Sequence, residues 1–173
     1  MDKTYSKNIF IGRPLAGFTL IELLVSVFII SLLSGSVLVS SWQSQGQYYA
    51  SKTAQKMMVD LRRVQNMALS GKVQGVEAPG GYGVYSQSAE RYLLFYNSDS
   101  SKTYDASSVV LETVDLEKVS LSPVGANVFF VPPDPTTFIN GSNNGSQIFT
   151  ISSADGGTVK NVSAFVSGRI EID

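Results

Sequence analysis

The sequence predicts an α+β protein in which one long N-terminal helix packs on a mostly antiparallel β region. Three observations support this. An apolar block with a single charge occupies residues 18–42. A helical repeat of apolar residues continues from there to Ser70, and from Gly80 onward apolar residues alternate with a period of two. The patterns divide the chain into residues 1–17, a helix over 18–42, and a head over 43–173, itself made of an amphipathic helix over 43–70 and a sheet region over 80–172.

The composition excludes several classes of function. The chain of 173 residues contains no cysteine and no histidine, which excludes disulfides, thiolate metal sites and every mechanism that needs an imidazole base. Its formal net charge is −1, so no overall field attracts it to nucleic acid. The carboxylates have no paired catalytic spacing, and no phosphate-binding glycine loop is present. The sequence therefore predicts a protein that is not an enzyme and that holds no metal and no cofactor.

The apolar block is long enough to cross a membrane as a helix. At about 1.5 Å per residue it would span about 37 Å, against an apolar bilayer core of about 30 Å. Lys3, Lys7 and Arg13 precede it, so the positive-inside rule predicts a single-pass protein with its head outside the cytoplasm. Two alternatives are a signal peptide cut near Ser34-Gly35-Ser36 and a plain signal anchor. A signal-peptide core is shorter, about 7–15 residues, and a plain anchor needs no carboxylate.

Glu22 is the charged residue of the block. A charged side chain inside a membrane helix costs about 2.5–3.5 kcal/mol on insertion scales and usually marks a function. If the peptide bond after Gly17 is cut, Phe18 acquires an α-amino group close to the depth of this carboxylate. The amine of one subunit can then pair with Glu22 of its neighbour.

The run Gly17-Phe18-Thr19-Leu20-Ile21-Glu22 resembles the leader junction of type IV pilins and type II secretion pseudopilins. The resemblance implies a membrane prepilin peptidase that cuts after Gly17 and N-methylates Phe18. It also implies that Glu22, the fifth mature residue, is needed for assembly. The implied partners are other pilin or pseudopilin subunits in a helical filament and an inner-membrane assembly platform. The implied location is the bacterial inner membrane, followed by the pilus or pseudopilus.

The head is expected to begin with a helix that buries one face. The expected apolar stripe is Ala54, Met57, Met58, Leu61, Val64, Gln65 and Ala68. The charged residues that are expected to lie largely off this stripe are Lys52, Lys56, Asp60, Arg62 and Arg63. Gly71 is expected to end the helix, and Gly35 and Gly46 are expected to be weak points within it.

The alternating region predicts about eight short strands. They are expected over residues 82–85, 91–96, 109–114, 116–121, 127–131, 148–152, 159–166 and 169–172. The first two form a hairpin joined through residues 86–90, and residues 132–145 form a loop rich in proline, glycine and asparagine.

The order of several short motifs extends the resemblance to the head. An arginine-rich helix end, Tyr-Gly-Val-Tyr, Phe-Tyr-Asn-Ser-Asp, Val-Phe-Phe-x-Pro and a final Ser-Gly-Arg-Ile-Glu-Ile look like the GspH/FimT type of minor pilin or pseudopilin. The alternatives are a major type IV pilin and a DNA-uptake receptor pilin. FimT-like pilins that take up DNA are known by a Gly-Arg-x-Arg tail. Here Glu171 stands in place of the second arginine, so nucleic acid binding is not expected.

Two further patterns favour ordinary loops over ligand sites. Residues 97–102 alternate Asn and Asp like a calcium loop but lack its glycine and its distal glutamate. Three Asn-x-Ser triplets, at Asn140, Asn144 and Asn161, match a glycosylation pattern, but turn formation is the expected role of such residues.

Overall fold

A computed structural model describes residues 17–71, 79–132 and 136–173, with the backbone alone described for residues 37–44. The chain forms two compact units, Met1–Val39 and Ser40–Asp173. Helix α1 (Leu20–Leu69) contributes residues to both units. Residues 1–16 of the predicted leader lie outside the described residues, and so does part of the predicted 132–145 loop. Within the described residues, no helix has both the length and the apolarity needed to cross a membrane.

The second unit is built on antiparallel strands, as predicted. The described residues form nine of them: β1 (Gly81–Ser88), β2 (Arg91–Asn97), β3 (Val109–Asp115), β4 (Val119–Ser122), β5 (Asn127–Val131), β6 (Thr136–Ile139), β7 (Ser146–Ser153), β8 (Val159–Phe165) and β9 (Ile170–Ile172). They make two sheets, one in the order β3-β2-β1-β5-β6 and one in the order β4-β7-β8-β9. The prediction of an α+β fold with a helix on antiparallel sheets is confirmed.

The second part of α1 packs into the core through one face. Six helix residues at three- and four-residue steps have no exposed surface: Ala50, Ala54, Met57, Leu61, Val64 and Ala68. They share a core with residues of both sheets, including Tyr82 and Leu94 of the first and Phe149 and Val162 of the second. This confirms the predicted stripe, because a 3.6-residue period places such positions on one side of a helix. Met58 and Gln65 lie at its margin and are half-buried.

The five-stranded sheet lies between α1 and the loop that joins β2 to β3. Alternate residues of a strand point to opposite faces. Tyr92 and Leu94 face the helix, whereas Phe95 faces the other way and meets Tyr104 of the β2–β3 loop, with 5.2 Å between ring centroids. Tyr104 also stacks on Tyr85 of β1 at 4.5 Å. Both faces of this sheet are therefore covered, one by the helix and one by the loop.

Asp60 is the exception among the charged helix residues, the other four of which are exposed as expected. It is only 5% exposed. Its Oδ2 accepts a hydrogen bond from the hydroxyl of Tyr92 at 2.6 Å and pairs with Lys56 Nζ at 2.9 Å. Burial and the neighbouring carboxylate raise the pKa of Tyr92 far above its usual range, so Tyr92 remains a hydrogen-bond donor. A buried carboxylate is tolerated here because two donors satisfy it.

Two local predictions are also corrected. Residues 116–118 are not part of a strand, because the chain turns there, with Lys118 at φ 58°, before β4 begins at Val119. Strand β6 lies inside the segment predicted to be a loop. Gly46 has a close contact in addition, since a Cβ there would lie 2.5 Å from Oδ2 of Asp155. The predicted helix end is confirmed: Gly71 has φ 56° and its N–H donates to the carbonyl of Ala68.

Candidate processing and assembly site

The helix begins two residues after Phe18, and Thr19 is its N-cap. The Oγ1 of Thr19 accepts a hydrogen bond from the N–H of Glu22 at 3.3 Å, and its carbonyl accepts from the N–H of Leu23 at 3.2 Å. Thr19 and Glu22 therefore occupy the first and fourth positions of a Thr-x-x-Glu capping pattern. Sequence reasoning missed this role of Thr19, although Thr three residues before Glu at the start of an apolar run is the signal for it.

Glu22 lies in the first turn of α1 with its side chain exposed. A negative charge at this position is favourable to the helix, because the unpaired N–H groups of the first turn carry partial positive charge. No described residue forms an ion pair with Glu22. Within the described part of the chain, the carboxylate is therefore exposed and without an ion pair.

Gly17 and Phe18 precede the helix, and no packing contact with the described residues explains their identity. A Cβ built on Gly17 would meet no atom within 4 Å among the described residues, and its backbone is outside the left-handed region. Phe18 is 82% exposed. Neither the absence of a side chain at position 17 nor an aromatic ring at position 18 is therefore required by the described fold.

The first turns of α1 expose a continuous apolar surface. Eleven large apolar residues from Leu20 to Leu33 are exposed: Leu20, Ile21, Leu23, Leu24, Val25, Val27, Phe28, Ile29, Ile30, Leu32 and Leu33. Three serines on the same segment bond back to the helix carbonyls, Ser26 to Glu22, Ser31 to Val27 and Ser36 to Leu33, at 2.7–2.8 Å. These three hydroxyl groups are thereby satisfied within the helix.

Comparison with known proteins identifies this segment. Residues 14–38 match the model of the prokaryotic N-terminal methylation motif, which is the leader region of type IV pilin-like prepilins. The match includes Gly17, Phe18 and Glu22. No curated protein matches the chain, and no solved structure matches it. The chain therefore carries a type IV pilin-like prepilin leader. The motif covers the residues predicted to take part in processing and assembly, Gly17, Phe18 and Glu22.

The segment that resembles a calcium loop is held by its own side chains. Asn97 is fully buried, and its Nδ2 donates to the carbonyls of Ser101 and Thr103 at 3.1 and 3.0 Å. Asp99 accepts from the N–H of Ser101 at 2.9 Å. Among the described residues, no group of acidic side chains is arranged to hold a metal ion. These bonds are those of an ordinary polar turn.

The C-terminal arginine is occupied by contacts within its own strand region. Arg169 pairs with Glu171 at 3.1 Å and lies over the ring of Phe165, 4.3 Å from its centroid.

Of the three Asn-x-Ser triplets, Asn140 is used in a turn. It has φ 50° and its Oδ1 accepts from the N–H of Asn127 at 2.7 Å.

Proposed function

We propose that the chain is a structural subunit of a type IV pilus or a type II secretion pseudopilus. The observation that carries this proposal is the methylation motif over residues 14–38 on a helix that exposes its apolar surface. The precursor is cut after Gly17 by a prepilin peptidase, and the new N-terminus at Phe18 is N-methylated. The apolar part of α1 then holds the chain in the bacterial inner membrane, with the head outside the cytoplasm, until an assembly platform moves it into a filament.

The requirement for glycine at position 17 is assigned to the peptidase. Nothing in the described fold fills the space next to Gly17, and its backbone could be adopted by any residue. A peptidase that must approach the scissile bond closely has a direct reason to select a residue without a side chain. A bulky residue at position 17 should therefore block cutting and leave the fold of the head unchanged.

Glu22 is assigned the role of pairing with the α-amino group of a neighbouring subunit. Its carboxylate is exposed and without an ion pair among the described residues. In apolar surroundings an unpaired carboxylate is costly, and a pair with an ammonium group removes much of that cost. Because the pair forms at one stagger of two helices, it also sets the axial register between subunits.

The test separates pairing from helix capping. Glu22→Gln keeps a residue type that suits the capping pattern but removes the charge. Thr19→Ala removes the N-cap, at a cost of about 1 kcal/mol to the helix start, and keeps the charge. We expect both variants to be processed, and we expect only Thr19→Ala to enter filaments, measured as the fraction of processed chain recovered by shearing. Normal incorporation of Glu22→Gln would overturn the pairing role.

The head motifs favour a minor subunit of the GspH/FimT type, and a major pilin is the second candidate because the leader is common to both. The abundance of the chain in sheared filaments separates the two. A DNA receptor is disfavoured by the engagement of Arg169 with Glu171 and Phe165. Identification of the neighbouring genes would show whether the filament belongs to a secretion system, a motility pilus or a competence pilus.

A further inference from the structure

Helix α1 carries a second stripe in the head, on the side opposite the buried one. Its members are all exposed and recur at three- and four-residue steps, which places them in one line along the helix. This outer helix face consists of Tyr48, Lys52, Gln55, Val59, Arg62, Asn66 and Leu69. It includes three large apolar side chains, of which Tyr48 is 61% and Val59 is 58% exposed.

The charges of the head are segregated between helix and sheets. The helix residues 45–69 contain four cations and a single carboxylate, Asp60, which is buried. The described residues of 79–173 contain nine carboxylates and five cations. Lys56 and Arg63 on the helix are paired with Asp60 and Glu112. Lys52 and Arg62 have no ion-pair partner in the described part of the chain.

The β2–β3 loop (residues 98–108) presents the complementary charge. Ser107 Oγ donates to Oδ2 of Asp99 at 2.9 Å and is within hydrogen-bond distance of Oδ1 of Asp105, at 2.6 Å, so the two carboxylates lie side by side. Hydrogen bonds from Ser101 and Ser107 lower the pKa of Asp105 to about 2, so it stays ionised at neutral pH. Neither carboxylate pairs with a cation of the described residues. Lys102 of the same loop is half-buried, with its Nζ 5.7 Å from the centroid of the Phe138 ring, whereas both carboxylates are exposed, so the loop presents an acidic surface.

These two surfaces lie on opposite sides of the head, since the five-stranded sheet separates α1 from the β2–β3 loop. Two different complementary patches on opposite sides of one molecule generate a head-to-tail contact, which extends into an open helical assembly when it does not close into a ring. We propose that the outer helix face of one copy of this chain docks on the β2–β3 loop of the next copy, with Arg62 against Asp99 and Asp105. This inference rests on the proposed function.

A second copy is the favoured occupant because the chain itself carries the matching charge. A basic face alone would equally suit the phosphates of a nucleic acid, but the acidic loop and the excess of carboxylates over the sheets would repel that partner. The contact requires two copies of this chain to be neighbours in the filament. Even a minor subunit of this kind would therefore occupy two or more consecutive positions in the filament.

The absence of cysteine from the chain permits a direct test by disulfide cross-linking. Gln55→Cys places a thiol on the outer helix face, and Ser100→Cys places one on the β2–β3 loop. Filaments of the full-length double variant, sheared from cells and treated with a mild oxidant, should yield covalent dimers and larger multimers. Each single variant should stay monomeric. The matched control combines Gln55→Cys with Ser120→Cys, an exposed position of β4, and should also stay monomeric.

Reversal of the charge at Arg62 tests whether electrostatic attraction holds the two surfaces together. Arg62→Glu in the double-cysteine chain should lower the multimer yield about tenfold, because like charges then face each other. Lys160→Glu, the same charge change on β8, should leave the yield unaltered. If filaments contained the double variant but no cross-links formed, the inference would be overturned and the proposed function would stand. Dimers formed by the Gln55→Cys variant alone would have the same meaning. A shift of duplex DNA by the full-length chain that Arg62→Glu abolishes would assign the outer helix face to nucleic acid and overturn the inference. A chain absent from all filaments would overturn both proposals.

Discussion

The hydrogen bond between Tyr92 and Asp60 makes a measurable prediction about the stability of the head. Tyr92→Phe removes the hydroxyl that donates to Oδ2 of Asp60 at 2.6 Å and leaves the ring in place. A hydrogen bond to a charged group contributes about 1.5–3 kcal/mol. Lys56 remains at 2.9 Å, but its side chain is 47% exposed and does not fill the space of the lost donor. We therefore expect a loss of about 2 kcal/mol in the free energy of unfolding.

The assay is chemical and thermal unfolding of residues 43–173, which we expect to be soluble because the helix stripe is buried against the sheets. A loss of about 2 kcal/mol corresponds to a fall in Tm of about 6–10 °C for a domain of this size. The matched control is Tyr48→Phe, since Tyr48 is 61% exposed and the change should stay within about 0.5 kcal/mol. If Tyr92→Phe were as stable as this control, Asp60 would not depend on the Tyr92 hydroxyl and the account of its burial would be wrong.

Two further predictions concern glycine packing and pH. Replacing glycine by alanine in a helix usually stabilises the protein by about 1 kcal/mol. Gly46→Ala should give no such increase in the free energy of unfolding, because the new methyl group meets the carboxylate of Asp155. In an Asp155→Ala background the increase should appear, as measured by denaturant unfolding. The pKa of Asp105 is lowered from 3.8 to about 2, so its contribution to loop stability is fully present above pH 3.8 and is lost as the pH falls towards 2. Carboxyl NMR titration should give this value, and Ser101→Ala should raise it. A pKa of Asp105 near 4 in the unaltered chain would contradict the hydrogen-bond geometry of the loop.

The features predicted from sequence are those set by local periodicity. The stripe from Ala54 to Ala68 repeats at 3.6 residues, and Gly71 supplies a positive φ at the helix end, so both could be identified without tertiary information. Strands β2 and β5 are short apolar runs rich in aromatic residues, and their predicted limits agree with the observed ones within a residue. The helix-on-sheet arrangement follows from the two periodicities together.

The features that sequence did not predict depend on contacts between distant residues. The burial of Asp60 depends in part on the hydroxyl of Tyr92, which lies far along the chain and donates to it. Strand β6 has four residues in a segment rich in proline, asparagine and glycine, and it is recognisable only through its pairing with β5. The contact of Gly46 with Asp155 is made by a turn far along the chain, so the residues around Gly46 do not predict it. No local pattern carries this information.

The state of the N-terminus tests the central claim most directly. Mass spectrometry of the chain recovered from sheared filaments should find a terminal peptide that begins with N-methylated Phe18, with residues 1–17 absent. The same chain in cells that lack the prepilin peptidase should retain Gly17 joined to Phe18 and should be missing from filaments. Assembled chain that still contains the intact Gly17–Phe18 bond would contradict the account.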